Sequence, residues 1–187
     1  MTLEPKPYLE YLEKEMTIMG ILSAFSVGLA TFATKEILTA NEGFLAKVSE
    51  QGQSHVFIGA ALALLAALLF YLQRSHLAWY YGQISLTQSL GSSSHYTIKD
   101  LLEWADGWDS WARYQTGFIA LTLSFASYVY GIGQVIYPTL TSVSHLWSLC
   151  IPLLAGTLTA IIRWYAFFKF PQEDYPVYSW VQSFKNN

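Results

Sequence analysis

Four long apolar stretches, each free of charged residues, dominate the hydrophobic pattern of the chain. They cover residues 18–34, 56–72, 114–137 and 146–162. A bilayer core of ~30 Å needs about 20 apolar residues in a helix, so each stretch predicts a membrane-spanning helix. With short extensions, the predicted spans are residues 17–38, 55–73, 114–137 and 146–168. The pattern therefore predicts an all-α integral membrane protein, a bundle of four transmembrane helices forming one domain over residues 1–187.

The polar segments predict further helix. Residues 7–17 are expected to form an interfacial helix before the first span. Good helix formers continue after the second span as far as Leu90, so that helix is expected to project beyond the bilayer. Thr97 and Asp100 have the spacing of a capping box, and the apolar residues that follow recur at helical spacing. The loop 74–113 is therefore predicted to carry a cytoplasmic amphipathic helix.

Composition narrows the protein class. Hydrophobic residues make up 53% and charged residues only 12% of the chain, against ~25% charged residues in soluble proteins. This excludes disorder and argues against a soluble fold. The net charge of −3 does not favour nucleic-acid binding. The single cysteine, Cys150, excludes an intrachain disulfide and a cysteine-based zinc site.

The distribution of Lys and Arg predicts the orientation. Of 10 such residues, eight lie on one side of the predicted spans: Lys6, Lys14, Arg74, Lys99, Arg113, Arg163, Lys169 and Lys185. Only Lys35 and Lys47 lie on the other side. Because positive residues accumulate in cytoplasmic loops, both termini are predicted to be cytoplasmic, in a bacterial inner membrane. Most Trp and Tyr residues, such as Trp79 and Trp104, fall on the same side, either as an interfacial belt or as a surface for a cytoplasmic protein partner.

Small residues recur at helical spacing on three of the predicted spans. Such ridges let helix backbones approach closely. They predict tight packing within the chain or between copies, and a homo-oligomer is expected. The predicted packing residues are Gly20, Ala24 and Gly28 on span one, Gly59 and Ala63 on span two, and Gly156 and Ala160 on span four.

A polar stripe runs along span three. It contains Thr116, Ser124, Ser127, Gly131 and Gln134. One interpretation is the lining of a pore in an oligomer, since hydroxyl and amide groups can replace part of an ion's hydration shell. The other, which is favoured, is helix packing with local hydroxyl-to-carbonyl hydrogen bonds.

A second candidate feature is acidic. Its members, spaced three residues apart, are Asp100, Glu103, Asp106 and Asp109. Around a pore vestibule they would concentrate cations. The alternative, again favoured, is the solvated face of a helix whose Trp side rests on the protein or the membrane.

The sequence offers little catalytic chemistry. Spans two, three and four contain no Asp or Glu, and no hydrolase or phosphate-binding motif is present. His55 and His145 begin spans two and four and leave a haem or metal subunit as a third function. No cofactor or metal site is predicted. The leading prediction is an oligomeric, non-catalytic membrane protein, as a pore or ion-channel subunit. The alternative is a scaffold or sensor that binds a cytoplasmic partner through its Trp- and Tyr-rich face.

Overall fold

The computed structural model describes residues 6–38, 48–90, 100–101, 108–137, 139 and 143–169. Within these ranges the chain is mainly α-helical. Four long helices are present: α1 (Lys6–Leu38), α2 (Glu50–Leu90), α3 (Trp108–Ile136) and α4 (His145–Lys169). The expected all-α fold is confirmed.

Three of the four helices are long and apolar enough to cross a membrane. The segments concerned are Leu9–Ala33 in α1, Glu50–Leu90 in α2 and Ala112–Gln134 in α3. The apolar part of α4, Trp147–Ile162, is shorter. Membrane-crossing helices are thus supported for three of the predicted spans, and a crossing by α4 stays a prediction.

All four helices are longer than their predicted spans, α1 and α2 by the most. α1 begins at Lys6, so the expected interfacial helix over residues 7–17 is the first part of α1 and not a separate element. α2 runs for 41 residues to Leu90. At about 1.5 Å per residue this helix is about 60 Å long, roughly twice the ~30 Å of a bilayer core.

Side-chain hydrogen bonds show how the helices are arranged. The Ser23 hydroxyl donates to the Ala67 carbonyl at 3.0 Å, which joins α1 to α2. The Tyr128 hydroxyl donates to the Leu29 carbonyl at 3.1 Å, which joins α3 to α1. α1, α2 and α3 therefore form a three-helix core, and α4 packs on α3. Successive helices are antiparallel, so α1 begins and α4 ends at the same end of the bundle.

The buried positions of α2 follow one repeat along almost its whole length. From Gly52 to Thr87, buried residues recur in alternating steps of four and three. The series is Gly52, Val56, Gly59, Ala63, Ala66, Phe70, Gln73, Leu77, Tyr80, Ile84 and Thr87. Buried residues of α3 recur in the same way from Gly117 to Gln134. This period of 3.5 residues is typical of helices that supercoil around each other with a left-handed twist.

The two ends of this interface differ in side-chain size. At the large-residue end, Phe70, Leu77, Tyr80 and Ile84 of α2 form a cluster with Leu12 and Met19 of α1. At the small-residue end, Gly52, Gly59 and Ala63 of α2 face the segment of α3 that contains Ser124 and Gly131. One end is filled by bulky side chains, and at the other the backbones themselves meet.

Candidate functional site

The candidate site is a polar seam at the small-residue end, where α2, α3 and α4 meet. Ser124 of α3 is 0% exposed, and its hydroxyl donates to the Gly59 carbonyl of α2 at 2.7 Å. A Cβ atom at Gly59 would lie 3.1 Å from the Ser124 carbonyl oxygen. The glycine thus permits an approach that a larger residue would prevent, and the serine hydroxyl bridges the two helices.

A second close approach lies two turns further along the helices. A Cβ atom at Gly131 would lie 2.7 Å from the Gly52 carbonyl oxygen, and one at Gly52 would lie 3.0 Å from the Gly131 carbonyl oxygen. The atom nearest to a Cβ at Gly131 belongs to the backbone, which cannot move aside as a flexible side chain can. A Cβ at Gly52 would also meet the Val48 side chain, and the Gln134 Oε1 atom at 2.6 Å. These two positions therefore require glycine at the present helix separation.

Gln134 of α3 reaches the beginning of α2. It is 3% exposed, and its Oε1 accepts a hydrogen bond from the Ser49 hydroxyl. The same hydroxyl accepts a hydrogen bond from the Gly52 backbone N–H at 3.1 Å, as a residue that caps a helix N-terminus does. Gln134 therefore orients the cap of α2 from a neighbouring helix.

Two polar atoms of the seam have no hydrogen-bond partner within the described ranges. They are the Ser127 hydroxyl and the Gln134 Nε2 atom, and both are buried. An unmade hydrogen bond to a buried group costs about 1–3 kcal/mol. The seam therefore contains buried polar groups whose hydrogen bonds are only partly made.

His55 connects the seam to α4. It is 0% exposed, its Nε2 lies 2.8 Å from the Ser148 hydroxyl, and its ring centroid lies 4.6 Å from that of Tyr130. A hydrogen-bonded Ser–His pair is found in nucleophilic enzymes, where a third group orients the base and substrate reaches the serine. Here both side chains are enclosed between three helices, which favours a structural link.

The haem or metal hypothesis rested on His55 and His145. His55 already contacts Ser148, and the side chain of His145 lies outside the described residues. Across the part of the chain that the structure describes, no group of three or more His, Cys, Asp or Glu residues could hold a metal ion. The seam therefore supplies one imidazole with hydroxyl and amide groups, a donor set with too few nitrogen, sulfur or carboxylate ligands for zinc.

The polar stripe predicted on span three is divided in the structure. Ser124, Ser127, Gly131 and Gln134 are buried, and three of them contact α2. Thr116 is exposed, and its hydroxyl donates to the Ala112 carbonyl of its own helix at 2.7 Å. These positions fit the packing interpretation, and a pore lining remains a prediction.

The acidic residues are described only in part. Asp100 is half-buried and helical. Glu103 and Asp106 lie outside the described residues, as does the side chain of Asp109. Whether these four carboxylates surround a vestibule therefore stays a prediction.

The predicted packing residues fall into two groups. Gly59 and Ala63 lie in the seam, and a Cβ atom at Gly156 of α4 would lie 2.6 Å from the Leu123 Cδ2 atom of α3; Ala160 is half-buried. On α1, Gly20 faces the Arg74 side chain, whereas Ala24 and Gly28 are exposed. A Cβ atom at Gly28 would have nothing within 4 Å. The small-residue ridges of spans two and four thus pack inside the chain, and part of the ridge on span one faces outward.

No protein-family model, no curated protein and no solved structure matches this chain. The functional argument therefore rests on the geometry of the helices and on the chemistry of their side chains.

Sequence reasoning overlooked two parts of the seam. Ser49 was not considered, although a serine before a helix that begins at Glu50 is a standard cap signal. The contact of Ser148 with His55 was not predicted either, because nothing in the sequence shows that the two would meet. The steps of four and three in α2 are visible in the sequence once the whole helix is considered together.

Proposed function

We propose that this chain is a non-catalytic integral membrane protein that assembles into a homo-oligomer through the outward face of α1. The observation that carries the proposal is the open surface at Gly28. Gly28 and Ala24, four residues apart, are exposed, and Gly28 has no neighbour within 4 Å of a built Cβ atom. Such a pair allows a second helix to approach closely, as small-residue pairs do in membrane dimers.

The surrounding surface suits a lipid environment. Large apolar residues next to this pair, among them Ile21, Phe25 and Phe32, are exposed. In a bilayer they would face acyl chains, and helix association would depend on close packing because lipid is as apolar as the side chains. A glycine in a helix is about 1 kcal/mol less favourable than alanine. Close contact with a second copy of the chain would offset this loss.

Replacing Gly28 with leucine tests the interface. Since nothing lies within 4 Å of the built Cβ atom, Gly28→Leu should leave the fold of one chain intact and obstruct the approach of a second. Size-exclusion chromatography with light scattering, in a mild detergent, should then give an oligomer for the wild type and a monomer for the variant. Gly82→Leu is the matched control, because Gly82 on α2 also has nothing within 4 Å.

Either of two results would contradict the proposal. A monomeric wild type would remove the oligomer. An oligomer that survives Gly28→Leu and is lost in Gly82→Leu would place the interface on α2. Gly156→Leu would be less informative, since its side chain would collide with Leu123 of the same chain.

The orientation is proposed from the eight-to-two distribution of Lys and Arg. The antiparallel arrangement of the four helices, with α1 beginning and α4 ending at one end, supports termini on the same side. Reporter fusions at Asn187 and within residues 42–50 test this orientation in a bacterial inner membrane. A periplasmic signal from the fusion at Asn187 would contradict it.

The channel form of this proposal has less support than the oligomer. Ser124 and Gln134 are occupied by contacts with α2, so a conduit along α3 would need those contacts to open. Ser127→Cys in a Cys150→Ala background tests it with a small water-soluble thiol reagent. Rapid modification of the thiol would favour a conduit, and protection equal to that of Phe125→Cys would favour packing.

The second candidate function, a scaffold for a cytoplasmic partner, is favoured by the extension of α2. Beyond the apolar stretch, Trp79, Leu86 and Leu90 are exposed on this helix. A photo-reactive residue at position 86 should crosslink a distinct protein in intact membranes if the extension binds a partner. Crosslinks to lipid or to a second copy alone would leave the oligomer as the function.

A further inference from the structure

A half-buried cation that has no charged partner among the described residues lies outside the polar seam, towards the opposite end of the bundle. The side chain of Arg113 on α3 donates from Nε to the Gln73 Oε1 atom of α2 at 3.3 Å. Its Nη2 atom is buried and has no hydrogen-bond partner in the residues that the structure describes. A guanidinium carries five N–H donors and no acceptor, so Nη2 can only be satisfied by an acceptor group.

The geometry of the guanidinium defines what it can bind. Its Nε–H group and one Nη2–H group point in the same direction and form a fork that accepts two oxygens of one anion. In the structure this edge meets one neutral amide oxygen, at a distance near the long limit for such a bond. An isolated buried charge is costly unless it is paired. The edge therefore has the shape and charge for an oxyanion, and the protein groups described here fill half of it.

The position of the pair indicates the chemistry of that oxyanion. Gln73 directly follows the charge-free stretch 56–72, and Arg113 directly precedes the stretch 114–137. Both therefore lie where two apolar segments end together, at the depth of the phosphate groups if the helices cross a bilayer. Basic pockets between helices on the cytoplasmic side are known to hold lipid headgroups.

We propose that Arg113 and Gln73 form a binding site for a phosphate group at the contact of α2 and α3. Two phosphate oxygens accept the hydrogen bonds of Nε and Nη2, and the Gln73 side chain turns aside to admit them. The phosphate belongs either to a phospholipid headgroup or to free inorganic phosphate. The site is independent of the oligomer proposed above, since neither residue lies on the face of Ala24 and Gly28.

The test is a thermal-unfolding titration of the purified full-length chain in an uncharged detergent. Three additions are compared: phosphatidylglycerol, diacylglycerol as a lipid without phosphate, and inorganic phosphate at an ionic strength held constant with chloride. A saturable rise in the midpoint with phosphatidylglycerol and no rise with diacylglycerol is expected. A rise with inorganic phosphate that competes with the lipid identifies free phosphate as the ligand, and a rise with phosphatidylglycerol alone identifies the headgroup.

Variants separate binding from folding. Arg113→Gln should weaken the response at least tenfold, and Arg113→Lys should weaken it also, because an ammonium keeps the charge and lacks the fork. Gln73→Glu places a carboxylate of the chain itself on the guanidinium, so this variant should fold and no longer respond to phosphate. Arg74→Gln is the control, since Arg74 is exposed and next to Gln73 in sequence.

The proposal fails if neither phosphate source raises the midpoint. It also fails if Gln73→Glu and Arg113→Lys respond as the wild type does, or if Arg74→Gln loses the response as completely as Arg113→Gln. In that last result the attraction would be general to the basic surface and not specific to this pair.

Discussion

The two ends of the α2 interface follow the same spacing of buried residues and use opposite side chains. At the large-residue end, Phe70 packs edge-on against Phe118 with ring centroids 5.2 Å apart, and a Cβ atom at Gly117 would lie 2.8 Å from the Phe70 ring. At the small-residue end, Gly52 and Gly131 bring two backbones together. Both ends thus share the same spacing of buried residues, whereas the size of the buried side chains changes along the helix.

The difference reflects the solvent that each end is expected to meet. Large apolar side chains stabilise a contact by leaving water, at roughly 25 cal/mol per Å² of buried apolar surface. Within a bilayer this gain is lost, and close packing with hydrogen bonds between helices replaces it. The large-residue end begins inside the apolar stretch of α2, at Phe70, and extends beyond it to Ile84. If the helices cross a bilayer, only the part beyond the stretch would meet water. The small side chains and inter-helix hydrogen bonds of the seam therefore agree with packing inside a bilayer.

The largest effect is expected from Phe70→Ala at the large-residue end. Removing a wholly buried phenylalanine should lower the free energy of unfolding by about 3–5 kcal/mol. Denaturant unfolding in mixed micelles, followed by helical circular dichroism, measures the change. Phe57→Ala is the control, because Phe57 is 64% exposed; equal losses for the two variants would contradict the packing described for Phe70.

Gly131→Ala tests the small-residue end. Its new methyl group would lie 2.7 Å from the Gly52 carbonyl oxygen, so the helices must separate at a cost of about 1–3 kcal/mol. Gly82→Ala, where nothing lies within 4 Å, should instead stabilise the protein by up to about 1 kcal/mol through helix propensity. The same unfolding measurement applies to both. Effects of the same sign would show that the close approach at Gly131 does not matter for stability.

Ser124→Ala isolates the hydrogen bond across the seam. Loss of the 2.7 Å bond to the Gly59 carbonyl should destabilise by about 0.5–1.5 kcal/mol. Thr116→Val is the comparison in the same stripe, since the Thr116 hydroxyl is exposed and bonds only to its own helix, and its effect should stay within about 0.5 kcal/mol. A larger loss of stability for Thr116→Val than for Ser124→Ala would contradict the assignment of Ser124 as the residue that joins the two helices.

Among the variants in the seam, the smallest effect, and one of opposite sign to Gly131→Ala and Ser124→Ala, is expected for Ser127→Ala. Its buried hydroxyl has no hydrogen-bond partner within the described ranges, so removing it should leave stability unchanged or raise it by about 1 kcal/mol. A clear destabilisation by more than about 1 kcal/mol would mean that this hydroxyl is hydrogen-bonded in solution. Comparing the stability of Ser124→Ala with that of Ser127→Ala would then show whether one or both of these buried hydroxyls are hydrogen-bonded.

Much of the helical framework follows from the sequence, because helix formation here depends on the composition of continuous segments. Charge-free stretches of sufficient length have few alternatives to helix, so the four helices and the end of α2 at Leu90 were predictable. The division of small residues between inner and outer faces was not. Gly28 and Gly59 each belong to a small-residue ridge, and only the direction in which neighbouring helices pack places Gly59 inside and Gly28 outside.

The contacts of the candidate site were less predictable for the same reason. The hydrogen bond between His55 and Ser148 joins residues 93 positions apart, and no periodic pattern identifies such a partner. The pair of Gln73 and Arg113 is similar, because Gln73 was predicted as the last residue of span two and Arg113 as the last residue of the following loop, and neither position identifies the other as its contact. Sequence periodicity predicts which face of a helix is buried, and it does not predict what that face meets.

The order of the helices in the bundle has a consequence for how the chain reaches its structure. Each helix packs against the one before it, α1 with α2, α2 with α3 and α3 with α4. Such local connectivity favours fast folding because little loop entropy is lost before the first contacts form. During synthesis, the α1–α2 hairpin can assemble as soon as α2 has emerged, and each later helix docks onto a surface already present. The bond from Tyr128 to Leu29, which joins residues 99 positions apart, must then wait for α3 and closes the three-helix core.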